Sequence, residues 1–175
     1  MNQRERRRFL IQSLLRERPQ YRKMEIPADE DEQRQLLRGL MNVRAPHSIG
    51  ADFLQVQDDY LQDETAAKGI TDLADLTPVQ PGLYLWQGDI TTLKCDAIVN
   101  AANSGMTGCY VPNHRCIDNA IHTFAGVELR LACAELMERQ GYPEPTEQAK
   151  ITPAFNLPCR FVLHTVGPII NGRVT

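Results

Sequence analysis

Between Cys109 and Cys116 the chain places two thiols and an imidazole in the pattern Cys109-x4-His114-x-Cys116, with Pro112 and Asn113 between them. Thiolate sulfur combined with imidazole nitrogen is the donor set that selects zinc. Structural zinc sites close with four protein ligands, whereas catalytic ones keep a position for water or substrate. The three ligands here therefore point to catalysis, and a closed site would have to recruit His122, Cys95 or Cys133. The competing reading is two small apolar cysteines and a surface histidine.

Other residues offer complementary chemistry. Asp89, in Gly88-Asp89-Ile90, can accept from an exocyclic amino group while the backbone N–H groups that follow face a diphosphate; an ordinary turn or cap is the alternative. In Asn100-Ala101-Ala102-Asn103 the small alanines let backbone approach a ligand, and Asn103 can both donate to and accept from sugar hydroxyls, unless it only closes an Asx turn. Asp118 follows the metal loop and can orient or deprotonate a water, or serve as a first-turn carboxylate favoured by the helix dipole. His122 and His164 lie in apolar surroundings and read as satisfied core histidines.

The elements that must position these groups fall into two stretches. Apolar residues at helical spacing predict helices over Glu5 to Arg18 and about Ala28 to Ala45, and a third helix or a helix-loop pair over Ser48 to Gly69. Asp29 to Glu32 suit the N-terminal end of the second. Residues 1–80 thus form a helical extension. The character changes at Pro78 and Pro81-Gly82. Leu83 to Trp86 reads as a strand leading into Asp89, and Ala97-Ile98-Val99 as a strand buried on both faces. A loop over Asn100 to Cys116, a helical pattern over Asp118 to Gln140 with a bend at Gly126, and strands at Lys150 to Thr152 and Phe161 to His164 complete it. Pro153 places the first of these at an edge or an end. The alternation argues for an α/β sheet over 81–175 whose ligands gather at the carboxyl ends of the strands.

Composition removes several classes. The chain has 175 residues, a net charge of -3 and no apolar run of the roughly 18 residues that a membrane span needs. Its basic start is interrupted too early for a signal peptide, and the five cysteines fit reduced thiols, so a cytoplasmic location is expected. Residues 1–24 carry eight basic and two acidic side chains, and 25–79 carry twelve acidic and four basic. The basic helix is expected to dock on its acidic neighbour, and nucleic-acid binding is not favoured.

Taken together, Gly88-Asp89-Ile90-Thr91, Asp96 to Ser104, Ile117-Asp118-Asn119-Ala120-Ile121-His122 and His164-Thr165-Val166-Gly167-Pro168 resemble the macrodomain family in order and spacing. The loop from Gly108 to Cys116 replaces that family's glycine-rich loop and resembles its zinc-dependent branch, which also carries a helical N-terminal extension. The resemblance implies a three-layer α/β/α fold, Zn2+ as cofactor, and removal of mono-ADP-ribose from acidic side chains of modified proteins. By position, Asp89 would hold adenine, Ile90 would supply a backbone donor near the phosphates, and Asn103 would touch the distal ribose, with Gly108 in the same substrate-binding set. Cys109, His114 and Cys116 would fix the metal, and Asp118 would assist proton transfer. A lipoyl-carrier protein is the implied substrate and a sirtuin-like ADP-ribosyltransferase the implied partner enzyme. The alternative is a non-catalytic ADP-ribose-binding module with a structural zinc. The family's later strands and second phosphate-binding loop are expected beyond Thr175.

Overall fold

The computed structural model describes residues 1–168 and Gly172. Three helices form the extension: α1 (Gln3–Glu17), α2 (Glu30–Val43) and α3 (Ala51–Lys68). Asn2 and Glu5 cap α1 reciprocally, and the Asp29 carboxylate accepts from the N–H groups of Asp31 and Glu32 at the start of α2. Leu10, Ile11, Leu14, Leu37, Leu40, Phe53 and Leu61 meet in one apolar cluster between the three helices. Arg7 of α1 is buried against Gln33 and Glu30 of α2, so basic and acidic helices pair as expected from their charges.

Four short strands lead from the extension to the sheet. Strand β1 (Thr71–Asp72) pairs in parallel with β4 (Leu93–Lys94), and β2 (Pro78–Gln80) pairs with β3 (Leu83–Tyr84) in an antiparallel ribbon. The strand expected over Leu83 to Trp86 is therefore only two residues long, and it is exposed, with the adjoining Leu85 at 85%. It ends before Trp86, whose ring packs on the bare Cα of Gly88.

The main sheet comprises β5 (Ala97–Ala102), β6 (Ala149–Pro153) and β7 (Phe161–Val166), in the order β5-β7-β6. Strand β7 runs parallel to β5 and antiparallel to β6, which lies at an edge and ends at Pro153, where a missing N–H does least harm. Between β5 and β6 come α4 (Ile117–Ala125) and α5 (Val127–Gln140), separated by Gly126 at φ 97°. A β-carbon at Gly126 would lie 2.6 Å from Gln57 Nε2 of α3, so glycine is required for space as well as for conformation. Gln57 Oε1 in turn accepts the Val127 N–H that opens α5.

Ile121, Ala125 and Leu129 of these helices pack with Ile98 and Val162 of the sheet in a second apolar cluster. Only one face of the sheet is buried this way. Along β5, exposed Ala97, Val99 and Ala101 alternate with buried Ile98 and Asn100, so among the described residues one of the two faces expected to be buried is covered. The physical reason is that the described helices that pack on the sheet lie on the Ile98 side. Val99, Leu163 and Ile151, paired across the three strands, form an apolar row on the opposite face.

Candidate functional site

The loop that carries Cys109, His114 and Cys116 is held between two helices. Met106, at φ 61°, and Gly108, at φ 84°, turn the chain back after β5, and the imidazole of His122 fills the space that a Gly108 side chain would need. From Cys109 the loop runs along the surface to Cys116, which caps α4 by accepting the Asn119 N–H on its sulfur at 3.4 Å. The ligand atoms of Cys109, His114 and Cys116 all lie within 4.8 Å of one another, with His114 exposed and both cysteines half-buried. A soft, convergent and partly open donor set of this kind fits Zn2+. Burial pushes the Cys116 thiol up, opposed by the hydrogen bond from Asn119 and reinforced by the neighbouring Cys109.

Asp118 stands in the first turn of α4, buried, beside this loop. Asn100 donates to its Oδ1 at 2.8 Å, and Asn103 Nδ2 lies 3.4 Å from its Oδ2. Burial raises the carboxyl above its usual range, opposed by the Asn100 hydrogen bond and the positive charge of Arg130. Asn103 is exposed and does close an Asx turn, its Oδ1 accepting from Gly105 N–H, while its amide also donates to the Gly108 carbonyl. Ala101, Ala102, Asn103, Gly108, Cys109, Cys116 and Asp118 line one open cleft, so the structure brings the two cysteines, the Asp118 carboxyl and the Asn103 amide together.

Asp89 is positioned differently from expectation. It does not end a strand; it caps a short turn over Ile90–Thr92 and accepts both the N–H and the hydroxyl of Thr91. Lys68 of α3 reaches its other oxygen at 3.2 Å. Burial works to raise this carboxyl, but the Thr91 hydrogen bonds and Lys68 outweigh it and hold it below the ordinary range. Ile90 is half-buried against the sheet-side core, which fixes the backbone of that turn. Asp89 and Ile90 are not among the residues lining the cleft around Asp118.

The two histidines differ. His164 is satisfied: its Nδ1 faces Asn100 Nδ2 at 3.1 Å and its Nε2 faces Thr152 Oγ1 at 2.9 Å. Because the amide must donate, Nδ1 is the acceptor and the proton sits on Nε2. His122 is also buried, yet neither nitrogen has a hydrogen-bond partner among the described residues, and Nε2 lies 3.6 Å from Asp118 Oδ1. This corrects its reading as a satisfied core histidine: it fills volume under Gly108. Burial first, then Arg130 and His164, push His122 down to about 3, and burial pushes His164 down to about 4, so both are neutral at pH 7. His122, Cys133 and His164 form a second, wholly buried group of potential ligand atoms, but Thr152 and Asn100 already engage His164.

Two residues that hold the loop in place escape a reading of spacing alone. Asn119, fully buried, bonds Cys116 Sγ through its backbone and the Val111 carbonyl through its side chain. Arg130 of α5 donates to the carbonyls of Thr107, Met41, Asn42 and Arg44 while its guanidinium stacks on Tyr110 at 4.2 Å. The sequence signal for Arg130 is a lone arginine between Leu129 and Leu131 on an otherwise apolar helix face.

The family description Macro domain matches residues 99–175. The chain is 64% identical to a protein-ADP-ribose hydrolase of Treponema medium, an alignment that covers 100% of this chain and 69% of that relative. It is 48% identical to a protein-ADP-ribose hydrolase of Staphylococcus aureus (strain MRSA252) over 93% of this chain and 61% of the relative. The chain thus spans about two thirds of the length of these curated relatives. Among solved structures, a Trypanosoma brucei macrodomain in complex with ADP superposes with a TM-score of 0.51 at 28% identity, covering 77% of this chain and 60% of that one. With 64% identity along its whole length to a relative of which it covers 69%, and with the Macro domain description matched from residue 99 onward, the chain belongs to the macrodomain family.

Proposed function

We propose that this chain carries the ribose-facing and metal-binding part of a Zn2+-dependent hydrolase that removes mono-ADP-ribose from acidic side chains of proteins. The observation that carries the reading is the single cleft lined by Asp118, Asn103, Cys109 and Cys116, with the His114 ligand atom within 4.8 Å of both sulfurs. Its support comes from the hydrolase names of the relatives and from the ADP bound by a structural neighbour.

Each side chain then has a definable role. Ala101 and Ala102 carry no bulk to keep a sugar from the strand end, and Asn103 orients ribose hydroxyls with the amide that its Asx turn holds in place. Asp118, with its carboxyl raised by burial, is suited to take a proton from an attacking water and return it to the leaving carboxylate. Asp89 accepts the adenine amino group through lone pairs left free by Thr91 and Lys68, and Ile90 directs its N–H toward phosphate. Cys109, His114 and Cys116 hold Zn2+, which supplies a Lewis acid to the cleft when bound. A lipoyl-carrier protein modified by a sirtuin-like ADP-ribosyltransferase is the substrate this assignment favours.

One observation favours a second reading. Cys116 caps α4, so a metal there also acts as a staple, in keeping with a non-catalytic ADP-ribose-binding module. Release of ADP-ribose from an acidic-site-modified protein, measured with zinc-loaded and chelator-stripped protein, separates them. Turnover lost on stripping with ADP-ribose binding retained supports the hydrolase; equal turnover in both states removes the metal's catalytic part. In the hydrolase, Asp118→Asn lowers turnover by about 10²- to 10⁴-fold while calorimetric ADP-ribose affinity changes little.

A further inference from the structure

The metal loop has little core of its own. From Tyr110 to Arg115 every residue is exposed. A loop of this kind samples many conformations unless something outside it selects one, and three ligands that converge only occasionally bind a cation weakly. Asn119 and Arg130 hold its first half at Val111 and Tyr110, whereas the contacts at Asn113 and His114 come from the helical extension, a part of the chain that contributes no ligand.

Arg38 of α2 donates through Nη2 to the His114 carbonyl at 3.0 Å and to Asn119 Oδ1 at 2.9 Å. One guanidinium therefore grips the backbone of a metal ligand and the side chain of the residue whose own N–H caps the Cys116 sulfur. One turn further along α2, Asn42 Oδ1 accepts the Asn113 N–H at 3.0 Å, and its Nδ2 donates to Thr123 Oγ1 of α4 at 2.9 Å. Asn113 is in the left-handed region at φ 55°, a conformation that this outside hydrogen bond helps to hold. Between the two polar contacts Gly39 faces the loop, where a β-carbon would make ordinary contact with Asn113 Nδ2 at 3.5 Å and Pro112 Cβ at 3.7 Å.

We infer that α2 is a positioning element of the metal centre, with Arg38 and Asn42 presenting His114 to the cation by fixing the loop backbone on both sides of it. The inference rests on the zinc reading above but concerns residues that reading does not use. The helical extension thereby preorganises a loop to which it lends no ligand. Reciprocity follows, since whatever α2 contributes to metal affinity, the metal returns as stability of α2.

Zinc affinity, measured by competition with a chromophoric chelator on the whole protein, tests this directly. Arg38→Ala should weaken zinc binding by about 10- to 100-fold, the usual consequence of losing a residue that orients metal ligands, and Arg38→Lys should restore part of it. Leu14→Ala, which loosens the apolar core of the same three helices, should leave zinc affinity within about twofold. Equal zinc affinity in Arg38→Ala and the wild type, or an equal loss in Leu14→Ala, would overturn the inference. Hydrogen exchange of the wild type covers the case in which the variants do not fold: zinc should slow exchange of the 38–43 amides together with the loop. Protection of the loop alone would overturn the proposal. A wild type that binds no zinc would instead remove the metal reading on which it stands.

Discussion

Asn100 donates one amide hydrogen to Asp118 Oδ1 at 2.8 Å and directs the other to His164 Nδ1 at 3.1 Å, so a single side chain of β5 fixes both the acid of α4 and the imidazole of β7. All three are buried. Asn100→Ala leaves Asp118 Oδ1 and His164 Nδ1 without their amide donor and should destabilise the fold by about 2–4 kcal/mol, read from urea denaturation at pH 7. Asn100→Asp should not rescue it, because a second carboxylate would face the first.

Cys116 serves as helix cap and as candidate ligand, and two substitutions separate the roles. Serine keeps a capping oxygen but is a poor zinc ligand, whereas alanine removes both. Cys116→Ser and Cys116→Ala should both lose bound zinc in elemental analysis. In the metal-free state, Cys116→Ala should be less stable than Cys116→Ser by about 1 kcal/mol. Zinc content unaffected by either change would refute the ligand assignment.

His122 and His164 set the acid limit. Both are depressed from 6.5, to about 3 and about 4, so the unfolded chain takes up two protons at a pH where the folded chain takes up none. Their contribution to stability is complete above pH 6.5 and is lost as pH falls toward 4 and then 3. Asp118, with its carboxyl raised, opposes part of this loss because the folded state binds its proton earlier. Stability should fall by about 1–3 kcal/mol per pH unit between about pH 6 and 4. His122→Phe should flatten that slope by about half in denaturation curves collected across the range; an unchanged slope would show that His122 is not held neutral.

Gly108→Ala puts a β-carbon 2.8 Å from the His122 ring at a φ of +84°. Neither the backbone nor the buried ring can yield easily. The variant should lose about 2–4 kcal/mol and displace the first residues of the metal loop, seen as chemical-shift changes at Cys109 and His122.

The sequence revealed most where one period or one donor set dominates. The three helices of the extension lie within a few residues of their expected bounds because apolar spacing and the Asp29 cap agree. The Cys109/His114/Cys116 cluster and the nearness of Asp118 were legible because they lie in one short segment. Contacts between distant segments were not. Arg38 and Asn42 meet partners 71 to 81 residues later in the chain, and no local pattern encodes that pairing. Ala97-Ile98-Val99 reads as doubly buried from its apolar composition, which does not say what covers each face; among the described residues α4 and α5 cover the Ile98 side.

Val127, at the start of α5, is part of the apolar cluster of the three N-terminal helices, while Leu129 two residues on belongs to the cluster under the sheet. One helix is rooted in both interiors, and Arg130 adds the carbonyls at the end of α2 to the same junction. Heating should therefore give one calorimetric endotherm with equal van't Hoff and calorimetric enthalpies, the helical and sheet halves melting as a unit.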